Sequence, residues 1–93
     1  MVNIYTGSEA LKQARGLMKC EETKILVSTT LVDTEETTVT IYEFLGDYYY
    51  SSIVGVKPHL SIFEKITKEE ADNIVYNIKG LSRIGTYFKF GGF

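Results

Sequence analysis

Residues 37–56 read TTVTIYEFLGDYYYSSIVGV, and this stretch decides the fold. Thr37, Val39, Ile41 and Leu45 fall on one side of an extended chain, and Thr38, Thr40, Tyr42 and Phe44 on the other. Such period-two alternation of β-branched and aromatic residues is the mark of a strand. Gly46-Asp47 interrupts it, Gly supplying the positive φ of a tight turn. Tyr48 to Val56 then resumes the same composition, so a β-hairpin is predicted.

Working outward, a turn at Asp33-Thr34-Glu35-Glu36 precedes the hairpin, Asp being a common first residue of a type I turn. A further strand over Ile25 to Val32 precedes that turn, with Ile25, Val27, Thr29 and Leu31 on one face. On the C-terminal side Lys57-Pro58 breaks the ladder, because Pro has no N–H to donate. Leu60 to Ile66 is then a fourth strand or an extension of the third. Val2 to Tyr5, a short run that is either an edge strand or a lead-in, and a last strand over Ile84 to Phe90 complete the β-prone runs.

Two amphipathic segments flank this β-rich middle. Ala10, Leu11, Ala14, Leu17 and Met18 recur at helical spacing after Thr6 and Glu9, which have capping-box spacing, with Ser8 as a rival N-cap. The second helix opens on a capping box of Thr67 and Glu70, with Ile66 placed to staple onto Ala71. Its apolar stripe is Ala71, Ile74, Val75 and Ile78, and Gly80 suits its end. The predicted architecture is a single α+β domain over residues 1–93, in the order α-β-β-β-(β)-α-β. It has two layers: an antiparallel meander of three to five strands with both helices on one face.

Composition narrows the function. The chain has 93 residues, 44% of them hydrophobic and 24% charged, which suits one globular domain. One cysteine, Cys20, excludes an internal disulfide. The N-terminus lacks the basic and apolar regions of a signal peptide, and no apolar run approaches the roughly 20 residues that span a bilayer. A cytoplasmic protein is expected. The net charge of −2 conceals a strong asymmetry. Cys20 to Val56 carries seven carboxylates against Lys24 alone, a local charge of −6, while the remainder has nine bases and five acids.

No catalytic constellation emerges. His59 and Cys20 are the only candidates for a nucleophile–base pair, and nothing in their spacing brings them together. Zinc needs three or four N/S ligands, so neither a metal nor a cofactor is expected. The order of elements resembles that of double-stranded RNA-binding domains, which grip phosphates with lysines at the start of the second helix. Here that turn is Thr67-Lys68-Glu69-Glu70-Ala71-Asp72, which is net acidic, so the likeness extends to element order only. Direct nucleic-acid binding is not expected.

The remaining signal is acid combined with tyrosine. Tyr48, Tyr49 and Tyr50 lie beside Glu43 and Asp47 and follow the Asp33, Glu35 and Glu36 turn. Tyrosine is favoured at interfaces for its large ring and polar tip. These eight residues are the candidate partner-binding surface, and a basic protein surface is the expected partner. In size and charge the chain is similar to phage-encoded inhibitors of host nucleic-acid machinery, anti-CRISPR proteins among them. The expected function is therefore a small non-enzymatic inhibitor that acts by binding. A homodimer is expected from the open edges of the sheet. The alternative is a small-ligand site, for a nucleotide for instance, built from Lys79, Arg83 and Lys89.

Overall fold

A computed structural model describes residues 4–31, 36–84 and 88–90. The elements are β1 (Ile4–Thr6), α1 (Gly7–Met18), β2 (Thr23–Leu31), β3 (Thr37–Phe44), β4 (Asp47–Val54), β5 (Ile62–Ile66), α2 (Lys68–Ile84) and β6 (Phe88–Phe90). A single 3-10 turn over Pro58–Leu60 joins β4 to β5, with the proline at its start, where a missing N–H costs nothing. The strands form one antiparallel sheet in the order β1-β5-β4-β3-β2-β6. The α+β class, the antiparallel meander and the helix–meander–helix order all stand as predicted. Its four long strands run consecutively, and a three-residue strand closes each edge.

The expectation that both helices share one face is corrected. Ala10 and Ala14 of α1 pack with Tyr42 and Phe63. Ala71 and Ile78 of α2 pack instead with Val27, Ile41 and Ile66. Neighbours along a strand point to opposite faces, so Ile41 and Tyr42 lie under different helices. The molecule has three layers, with the sheet in the middle. Both faces of β3 and β4 are apolar enough to bury, which is why one helix could not serve both.

Three local boundaries also move. The tight turn is Leu45-Gly46, with φ of +50° and +86°, so Asp47 is the first residue of β4. Two positive φ values in succession match the turn that continues the strand twist. A β-bulge lies between Ile25 and Val27. It puts Leu26 and Val27 both against the α2 core, while Ile25 faces Tyr42 across the sheet. Finally, α2 runs through Gly80 to Ile84, where a strand was expected to begin. An interior Gly costs a helix only roughly 1 kcal/mol relative to Ala, so Gly80 need not end it.

Capping differs between the helices. Thr67 N donates to Glu70 Oε1 at 3.0 Å and Glu70 N to Thr67 Oγ1 at 3.1 Å, so the predicted capping box of α2 is formed. The corresponding box at Thr6 and Glu9 is not formed: Thr6 makes no side-chain cap bond. Thr6 is still paired with Ile62 in the sheet, and the Gly7 N–H donates to Ser61 O at 2.9 Å.

Candidate functional site

Helix α2 starts at the end of β5 and contacts β4, β2 and β6, so it crosses its face of the sheet diagonally. Beside it lies an open cleft of about 580 Å³. Glu70, Ile74 and Ile78 form its wall, spaced four residues apart and therefore stacked along one side of the helix. Its floor is Val39, Tyr50, Ile62 and Ile66, with Glu64 standing among them. Glu64 is directly opposite Tyr50 on β4 and Ile4 on β1, so these three share the α2 face. Glu70 holds its carboxyl below the usual range because it accepts from the Thr67 N–H and hydroxyl, and so stays charged. The cleft is apolar in its body and anionic at its rim, and its lining includes no Lys or Arg.

Of the eight residues of the predicted partner surface, the six described ones do not all lie on one face: Glu43, Tyr48 and Tyr50 share the α2 side, and Tyr49 points to the other. Asp33 and Glu35 lie outside the described residues. Glu36 and Glu43 flank or end β3 seven residues apart, a separation of roughly 23 Å on an extended strand. Glu43 sits across from Lys24 on one side and Tyr48 on the other. Asp47 meets Lys65 at 3.5 Å. Both side chains are about half exposed, so the pair contributes at most about 1 kcal/mol. Tyr48 and Tyr50 pack against the α2 core, whereas Tyr49 stacks on Phe63 beneath α1 with ring centroids 5.6 Å apart. The tyrosines are thus half-buried walls of two cores, and Tyr50 alone of the triplet reaches the cleft.

Of the alternative basic set, Lys79 is the member whose side chain is described. Lys79 lines a smaller cleft of about 410 Å³ on another side of α2, with Asp72, Tyr76 and Leu26. Arg83 falls in the last turn of α2 and Lys89 in β6, opposite Thr30; their side chains lie outside the described part. His59 and Cys20 are held apart by α1. The His59 backbone approaches Gly7 at the start of that helix, and Cys20 follows its end, about 20 Å away. The Cys20 thiol donates to Gly16 O at 3.4 Å. Among the described residues there is no group of three potential metal ligands, and no helix long and apolar enough to cross a membrane.

Sequence reasoning missed Ile4, Ile62, Glu64 and Glu70 as site residues. One signal was available: Ile62, Glu64 and Ile66 share a strand face, and a carboxylate between two isoleucines is out of place on a fully covered face. No known protein family, no curated protein and no solved structure matches the chain.

Proposed function

We propose that this chain is a small non-enzymatic binding domain for a basic protein partner, held at the α2 face of the sheet. The supporting observation is the apolar cleft beside α2, whose charged lining residues, Glu64 and Glu70, are both anionic. An apolar body gives affinity through desolvation, and a single sign of charge at the rim selects the partner and speeds its approach. The small size and the local charge of −6 between Cys20 and Val56 suit an inhibitor that occupies a basic groove, of the phage-encoded, anti-CRISPR-like kind. The nucleotide-binding reading has less support, because Asp72 accompanies Lys79 in the smaller cleft and opposes an anion there.

The test is kinetic, on a partner captured from the source cell and identified. Glu64→Lys is expected to slow association by about tenfold at low salt, with the effect shrinking as salt rises. Reversal of Glu43 and Asp47, which lie outside the cleft, should have the smaller effect. A partner that binds Glu64→Lys like wild type, yet is lost when Lys79, Arg83 and Lys89 are neutralised, would move the site to the other half of the chain.

A further inference from the structure

A six-stranded sheet is about 24 Å wide, and helices packed side by side lie 8–10 Å apart, so each face has room for about two. Each face here carries one. Helix α1 contacts β1, β5 and β4, and α2 contacts β4, β2 and β6, so each leaves the opposite half of its own face open. The two open halves are chemically different. On the α1 face it holds Ile25, 49% exposed and opposite Tyr42, and beyond it hydroxyls that satisfy one another: Ser28 with Thr40 at 3.1 Å, and Thr30 with Thr38 at 3.2 Å. On the α2 face it holds Ile4, 54% exposed, and Ile62, 37% exposed, beside the cleft. Two isoleucines projecting from a sheet next to an apolar trough are a helix layer with one member missing.

Resting on the binding reading above, we propose that this vacancy is the seat of a basic amphipathic helix supplied by the partner, lying alongside α2. The wall of Glu70, Ile74 and Ile78 is an i, i+4, i+8 ridge, the surface into whose grooves a second helix packs. Ile62, Tyr50 and Val39 would receive its apolar stripe, in the manner of helix-in-groove recognition. Glu64 and Glu70 would meet lysines or arginines flanking that stripe. A second copy of this chain is a poor occupant. In a two-fold contact the acidic rim would face its own copy. The basic outer side of α1 (Lys12, Arg15, Lys19) has its apolar side already committed to Tyr42 and Phe63.

The test uses two synthetic fluorescent peptides of about 18 residues, long enough for roughly 27 Å of helix. In one, leucines stand at i, i+3, i+4 and i+7 with lysines elsewhere; the other is a scramble of the same composition. Anisotropy should show the patterned peptide binding at least tenfold tighter, with helical circular dichroism appearing on binding. Ile62→Glu should weaken it by about tenfold or more, the size expected of a central apolar contact. Ile4→Glu, on an exposed edge strand, should do the same without touching the core. Both substitutions add negative charge, so a complex held by charge alone would tighten, and tightening overturns the proposal. If patterned and scrambled peptides bind alike and Glu64→Gln weakens both equally, the helix inference fails while the binding reading stands. If neither peptide binds, the helix inference fails. If the captured partner is also indifferent to Ile62 and Glu64, the binding reading fails with it.

Discussion

Tyr42 is fully buried beneath α1, and its phenol oxygen lies 2.7 Å from the Ser51 hydroxyl. The small side chains of Ala10 and Ala14 let the helix come close enough to seal that pair from water. Burial pushes the Tyr42 phenol up, and its hydrogen bonds with Ser51 and Thr40 offset only part of the rise. Tyr42→Phe would leave the Ser51 hydroxyl buried without its partner, at a cost of about 1–3 kcal/mol at pH 9. The sign at high pH follows from the direction of the shift. The unfolded phenol ionises near pH 10 while the folded one keeps its proton, so this stabilisation is complete below about pH 10 and is lost above it. The gap between wild type and Tyr42→Phe in denaturant unfolding should therefore narrow between pH 9 and pH 11. A gap that widens would contradict the assignment.

At the scale of elements, α2 shows what kind of information a sequence carries. Its start was readable because Thr67 and Glu70 satisfy each other's backbone within three residues, a wholly local matter. Acid should reveal this contact. The Glu70 carboxyl lies below its usual range, so its contribution is present above about pH 4.5 and lost as pH falls through the lowered value. Glu70→Gln should be less stable than wild type at pH 7, and the two should converge as acid protonates the Glu70 carboxyl; a gap that persists in strong acid would mean that charge is not what the cap uses. The other end of α2 differs from its local signal, because Gly80 suits a helix end yet lies inside a helix that runs to Ile84. The side of the sheet each helix takes was not readable at all. Helical periodicity tells which face of a helix is buried but not which face of the sheet buries it. Tyr49 pointing away from Tyr48 and Tyr50 was the one hint that both faces needed cover. The cleft is further still from local sequence, since it exists only because α2 crosses the sheet diagonally.

The whole molecule is two cores back to back on one sheet. Phe63 belongs to the α1 core and Ile78 to the α2 core, and the two clusters share no residue. They do share strands: Ile41 and Tyr42 are adjacent on β3, and Phe63 and Ile66 both belong to β5. Losing either core therefore removes the support of strands that the other needs. A domain of this size built so should unfold in one transition even when a single core is weakened. The energies should nonetheless add, because side chains with no common partner do not couple. Phe63→Leu and Ile78→Val are mild deletions, each expected to cost about 0.5–1.5 kcal/mol. The double variant should lose the sum of the two to within about 0.5 kcal/mol, and circular dichroism and tyrosine fluorescence should report the same midpoint. Two separated transitions would mean that the sheet does not bind the layers into one unit. A coupling energy well above 1 kcal/mol would mean that strain passes through β3 and β5 from one core to the other, and the two faces could not then be treated as independent sites.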